Sequence, residues 1–226
     1  MQKFDTPAPV ATVLDIPAGL IRLIAADRSD TTVEVLPADA AKGRDVKAAE
    51  QTTVAYADGV LTITGAPANN QLLGASGNVE VTVQLPAGSQ VQATAAAAEL
   101  RGVGRLGEVA FDGAQGTVKL DEAAGARLTL QSGDITVGRL NGPARLSTQK
   151  GDLTITEATH GEVTLRTEHG AITVDAARGV SAALDAGTPY GRIHNTLKNT
   201  DGNPDGNPDL TIHATTSYGN ITARSL

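Results

Sequence analysis

The stretch QSGDITV, residues 131–137, returns as QKGDLTI (149–155), EHGAITV (168–174), PYGRIHN (189–195) and SYGNITA (217–223). Each copy sets a glycine before a short run of alternating apolar and polar residues, the period-two signature of a strand with one face in a core. With one earlier copy included, the glycines are Gly116, Gly133, Gly151, Gly170, Gly191 and Gly219, at intervals of 17, 18, 19, 21 and 28 residues. Between them runs a second alternating series: EVAF (108–111), ARLTL (126–130), ARLSTQ (144–149), EVTLRT (162–167), VSAALDA (180–186) and LTIHATT (210–216). The chain therefore writes two strands per repeat of about 18 residues.

That repeat length decides the fold. It is too short for a crossover helix, which excludes βαβ units. The reversals also lack the Asn-Gly or Asp-Gly pair that a meander of tight hairpins wants at each turn. The remaining solution is all-β: a single-stranded parallel β-solenoid, one coil per repeat, with equivalent strands stacked at the ~4.8 Å strand spacing. The rule for parallel crossovers predicts a right-handed coil. Inward positions form apolar ladders, while Arg127, Thr129, Arg145, Ser147, Thr164, Arg166, Thr136, Thr154 and Thr173 point outward. The recurring glycine marks a corner that needs positive φ or close backbone approach.

The 28-residue interval holds NTDGNPDGNPD (199–209), read as a loop inserted into one coil without disturbing the order of the stack. The last repeat, SYGNITARSL (217–226), then leaves an unpaired strand edge at the end of the solenoid. Residues 1–100 are β-rich but less regular, as in ATVLDIPAG (11–19), TTVEVLPAD (31–39) and NVEVTVQLPAG (78–88), with AAKGRDVKAAE (40–50) the one candidate helix. No Pro/Gly/Ser linker separates this part from residues 101–226. The expectation is one continuous domain in which residues 1–100 cap the repeats of 101–226.

The chain has 226 residues and is 40% apolar but only 2% aromatic, with no tryptophan, so Val, Leu, Ile and Ala must fill the core. A net charge of -7 and a pI near 5.0 argue against nucleic acid and against anionic membrane surfaces as partners. Without cysteine there is no disulfide, zinc-thiolate site or thiol nucleophile. The start, MQKFDTPAPVATVLDIPAG, carries no apolar run of signal-peptide type, and no stretch approaches the ~20 apolar residues of a membrane span. The corresponding expectation is a cytoplasmic location without membrane insertion.

The order of DIPAG, VEVLPAD, AAEQTTVAYADGVLTIT, VEVTVQLPAGSQV, the SGDITV-like repeats and the closing PYGRIHN and TSYGNITA resembles a bacterial, actinobacterial-type family of β-strand repeats known as adhesin-like and of unknown function. The resemblance covers nearly the whole chain. It implies a β-solenoid or closely related all-β fold and no known catalysis. The chain departs from it in showing no export signal.

Four constellations are candidates for chemistry. GVGRLG (102–107) fits G-x-G-x-x-G, but a strand, EVAF, follows where a dinucleotide site needs a helix, so it reads as a turn, and Glu122 as part of the next one. Asp201, Asn203, Asp205, Asn207 and Asp209 supply alternate oxygens in the manner of a calcium loop, although Ile212 stands where the bidentate acid belongs. Asp134 and Asp152 occupy equivalent positions after their glycines, a carboxylate pair of the kind acid-base catalysis uses. His160, His169, His194 and His213 show no metal-binding spacing, and Tyr190 and Tyr218 precede equivalent glycines as turn-packing residues.

These observations favour a non-catalytic β-solenoid scaffold or protein-interaction module that self-associates through its C-terminal coil, with a homo-oligomer or a protein partner and without a cofactor or a small-molecule ligand. The alternatives are a calcium-assisted adhesive or ligand-binding module and a polysaccharide-active β-helix enzyme.

Overall fold

Alternating sequence becomes extended chain almost everywhere: the computed structural model, which describes residues 1–65, 77–198 and 208–226, contains eighteen strands and one helix among those residues. The fold is all-β. Two compact units divide it, Met1–Thr117 and Val118–Leu226.

The first unit contains β1 (Gln2–Asp5), β2 (Ala11–Asp15), β3 (Ala18–Ala26), β4 (Asp30–Pro37), α1 (Gly43–Gln51), β5 (Thr53–Ala57), β6 (Val60–Thr64), β7 (Val79–Pro86) and β8 (Gln90–Gln115). Its apolar N-terminal repeat lies in the middle of the pairing. β2 runs parallel to β6 on one side and to β8 on the other, and β3 runs parallel to β7 and to a later part of β8. Leu14, Ile16, Ile21 and Leu23 are consequently buried, with Leu61, Ile63, Val81 and Leu100 alongside.

In this less regular part, parallel and antiparallel strands are mixed. β4 pairs antiparallel with both β7 and β1, and β5 pairs antiparallel with β6. The β5–β6 turn explains itself chemically. Asp58 and Gly59 both take positive φ, 51° and 78°, which is the two-residue reversal that Asp-Gly favours because its twist matches that of the flanking strands. α1 covers the expected helical stretch and packs against β4 and β7. Its buried Asp45 accepts a hydrogen bond from the Asn78 N–H at 3.0 Å.

The second unit contains β9 (Val118–Ser132), β10 (Ile135–Leu140), β11 (Ala144–Lys150), β12 (Leu153–Ala158), β13 (Gly161–His169), β14 (Ile172–Ala176), β15 (Ala182–Gly187), β16 (Ile193–Thr196), β17 (Leu210–Tyr218) and β18 (Ile221–Ser225). All strand pairing is parallel and forms two ladders. One joins β9, β10, β12, β14, β18 and β16. The other joins β9, β11, β13, β17 and β15. Equivalent apolar residues superpose: Val118, Ile135, Leu153, Ile172, Ile221 and Ile193 share one row.

The order of the last two repeats corrects the sequence expectation. β17 and β18, which carry the final repeat, are paired on both sides, whereas β15 and β16 each have a single partner among the described residues. β17 and β18 therefore lie one step inward of β15 and β16, and SYGNITARSL is not the unpaired edge. Burial supplies the reason. Leu210, Ile212, Ala214, Ile221 and Ala223 are all buried, while the corresponding row of the outer repeat contains Leu184, Ala186, Ile193 and Asn195, with Ile193 46% exposed. Exchanging the two repeats would partly uncover Ile212 and Ile221, at roughly 1 kcal/mol each, and would bury the Asn195 amide among aliphatic neighbours.

Two measurements test these packing arguments. A Cβ on Gly151, at φ 147°, would lie 2.1 Å from the Gly133 carbonyl oxygen, whereas one on Gly43 meets nothing within 4 Å. Gly151→Ala is expected to cost roughly 3 kcal/mol or more in urea unfolding and Gly43→Ala to be neutral or slightly stabilising. Asp30 is held at about 2 by hydrogen bonds from Arg28 and then Lys3. Its unfolded carboxyl titrates near 4, so its contribution is complete above about pH 4 and is lost as pH falls through about 2. Asp30→Asn should flatten that part of the stability-pH profile.

Candidate functional site

The repeating glycines of the second unit gather into a corner built almost entirely from hydrogen bonds between successive repeats. The Gly133 N–H donates to the Lys150 carbonyl, Gly151 to His169, Gly170 to Tyr218 and Gly219 to Tyr190, at 2.8 to 3.1 Å. Their carbonyls are taken up in turn by threonine hydroxyls. Thr148 donates to the Gly133 carbonyl at 3.3 Å, Thr167 to Gly151 at 3.0 Å, Thr216 to Gly170 at 3.0 Å and Thr188 to Gly219 at 3.1 Å. Thr148, Thr167 and Thr216 are buried, and each occupies a position that otherwise belongs to the apolar row, so the pairing satisfies hydroxyls that burial would leave costly.

The residue after each glycine completes the corner. The Asp134 carboxylate accepts the Asp152 N–H at 2.8 Å, and Asp152 accepts the Ala171 N–H at 2.7 Å. The Asn220 side-chain oxygen performs the same task for the Arg192 N–H at 2.9 Å. Asp134 and Asp152 are thus brought together, but as links between repeats rather than as a free carboxylate pair. Asn220 shows that an amide oxygen serves as well as a carboxylate, and Ala171, which follows Gly170, that one repeat dispenses with the acceptor.

In three repeats the residue before the glycine is a ring, and these form a column that sequence reading underestimated. His169 stacks on Tyr218 with ring centroids 4.9 Å apart and 9° between planes, and Tyr218 stacks on Tyr190 at 4.8 Å and 5°. The signal was present in the shared position ahead of glycine, but the stacking order depends on β17 lying between β13 and β15. Tyr190 terminates the column at the outer repeat and is 64% exposed. Ile193 follows it on the same edge. The structure thus places unpaired backbone, an exposed ring and an exposed aliphatic side chain on one repeat.

Next to this column lies a groove of about 490 Å³, lined by Arg166, Glu168, Thr188, Pro189, Thr215 and Ser217 among others. It opens where Gly187, opposite Thr215 in register, leaves the outer row without a side chain. On the other ladder a two-point ion pair, Arg224 Nε and an Nη to the Asp175 carboxylate at 2.7 and 2.8 Å, ties β18 to β14. The hydrogen bonds it donates to Asp175 raise the Arg224 guanidinium above its ordinary pKa.

The other sequence candidates separate. Residues 102–107 lie within β8 with no helix after them, and Glu122 accepts a hydrogen bond from the Asn141 side chain at 2.7 Å. His160 meets the Thr159 hydroxyl, His213 meets the Asp185 carboxylate at 3.3 Å, and His194 lies opposite Thr222 on the other ladder. Among the described residues no three His, Asp or Glu side chains form a metal cluster. Asp201, Asn203, Asp205 and Asn207 lie outside the described residues. Asp209 is described, and it accepts the Ser181 N–H through its carboxylate and the Gly161 N–H through its carbonyl.

A chain of short, glycine-cornered parallel repeats with polar, mutually linked corner residues is a β-strand repeat protein. A family model matches residues 75–224, and the chain belongs to the family it describes, Toastrack DUF4097. Among solved structures it is similar to a "putative adhesin" from Bacteroides fragilis, 12% identical over 98% of this chain and 95% of that one, TM-score 0.46. It is also similar to a "putative cell adhesion protein" from Clostridium sporogenes, 9% identical over 100% and 98%, TM-score 0.41. A third is a "putative lipid binding protein" from Parabacteroides distasonis, 11% identical over 98% and 95%, TM-score 0.45. Among curated proteins none matches.

Removing the corner acceptor separates its structural role from a catalytic one. Asp134→Ala should cost about 1 kcal/mol, the net worth of one hydrogen bond, whereas Asp134→Asn, which keeps the acceptor, should unfold within a few tenths of wild type. Thermal and urea unfolding of the two variants provides the comparison.

Proposed function

We propose that this protein is a non-catalytic, adhesin-like interaction module that associates through the β15–β16 edge, its first partner being a second copy of the chain. The carrying observation is the outer repeat, in which unpaired strands coincide with the exposed Tyr190 ring and the exposed Ile193 side chain. An edge of unpaired N–H and C=O groups is a template for strand addition. A second copy brings the same unpaired strands and the same terminal ring, so edge-to-edge pairing would continue the ring column by Tyr190 against Tyr190.

The reading takes the two parallel ladders as faces of one right-handed solenoid coil. It supports a non-enzymatic role because the carboxylates most suited to acid-base work, Asp134 and Asp152, hold backbone N–H groups. The self-association proposed from sequence is accordingly moved from the C-terminal repeat, which is enclosed, to the repeat before it.

Light scattering during size exclusion tests this. Wild-type protein is expected to show a concentration-dependent dimer mass. Ile193→Lys, which sets a charge on an exposed edge position, and Tyr190→Ala should both shift the mass to monomer while leaving the unfolding midpoint within experimental error. A wild-type monomer at every concentration, or a dimer indifferent to both substitutions, would overturn the proposal.

A further inference from the structure

The outer face of the ladder containing β9, β11, β13, β17 and β15 carries charges that nothing in the fold uses. Arg127 and Arg145 lie directly opposite each other on β9 and β11, and Arg166 lies on the next strand, opposite Ser147. All three are exposed, and none forms an ion pair or hydrogen bond among the described residues. Like charges facing each other on neighbouring strands destabilise a sheet. In a chain of net charge -7, placing two guanidinium groups side by side with no acid between them runs against both local electrostatics and overall composition.

The rest of the face defines what the arginines would hold. Between them stand hydroxyls, Thr129 and Ser147, linked to each other at 3.4 Å, and Thr164 opposite Arg145. Beyond Arg166 the face drops into the groove, where Glu168, Thr215 and Ser217 add acceptors and donors. A guanidinium matches a carboxylate. A carboxylate and several hydroxyls in the same groove match a ligand that carries hydroxyls of its own. Glu168 and the acid Asp185, already engaged by His213, weigh against a simple polyanion, because they repel one that brings no hydroxyl donors.

We infer that this face binds an acidic polysaccharide, a chain of uronate sugars laid across the strands from Arg127 and Arg145 to Arg166, with its end in the groove. Four adjacent strands span about 15 Å, the length of a few sugars. The arginines supply carboxylate recognition, and the hydroxyls and Glu168 supply sugar hydroxyl recognition. Ligand binding does not require self-association, and the arginine substitutions lie away from the β15–β16 edge, so the two proposals fail independently.

Isothermal titration of the purified chain with oligogalacturonate provides the test. Binding is expected with oligogalacturonate and not with its carboxyl-reduced, neutral counterpart. Arg145→Gln and Arg166→Gln should each weaken binding at least tenfold, and Lys47→Gln, on α1, should leave it unchanged. The thermal midpoint of ligand-free Arg145→Gln should be unchanged or higher, since a like-charge pair is removed. Equal binding of polyglutamate would overturn the proposal in favour of an acidic protein partner, and equal binding of phosphatidylglycerol vesicles in favour of a membrane surface. Absence of oligogalacturonate binding, or binding indifferent to both arginine substitutions, would overturn it outright.

Discussion

The close approach of one glycine to the carbonyl of the glycine one repeat away is the contact on which the second unit depends. At Gly151 the space left for a Cβ is filled by the Gly133 oxygen, so the corner can close only where the side chain is a hydrogen. Closing it fixes the register of both ladders at once. The glycine N–H, its carbonyl, the threonine three residues before the next glycine and the acceptor after it all depend on the same superposition. A one-residue slip would break each of these bonds and turn the apolar row outward.

The corner also explains how so aliphatic a core remains ordered. With two phenylalanines, three tyrosines and no tryptophan in the chain, large interlocking rings cannot set the alignment. Ile, Val, Leu and Ala rows are nearly interchangeable along the stack, and packing alone would tolerate several registers. The hydrogen bonds at the glycine supply the specificity, while the rows supply most of the burial free energy. The same division accounts for the buried threonines and for Asp134 and Asp152, which meet backbone partners at the corner.

How much of this was legible follows from which physical signal each feature left in the sequence. The two-strand repeat, its glycine and the helix of residues 43–51 rest on local periodicity and local conformational preference, so they could be read directly. The Asp58-Gly59 hairpin was equally local, although it belonged to residues where the repeat was faint and drew less weight. The exchange of the last two repeats was not readable from spacing, because intervals count residues along the chain and say nothing of which repeat lies beside which. The signal that existed was compositional. Asn195 on β16 stands in a row where other repeats have Leu, Ile, Val or Ala, and Gly187 at the end of β15 and Pro189 just after it belong to the same repeat, all features suited to an edge.

The site was harder to read for the same reason. Tyr190, Tyr218 and His169 share a position ahead of glycine, but whether they form a column depends on spatial order, and only the interchange places Tyr218 between the other two. Asp134 and Asp152 were readable as a pair, and their meaning changed once each was seen to hold the N–H of the following repeat. Arg127, Arg145 and Arg166 stand out by contrast. Where two like charges face each other on neighbouring strands without a partner, the stacking itself does not explain them. Functional surface in such an architecture is therefore best sought where the regular bonding between repeats stops, at the outer strand pair and along the unpaired arginine row.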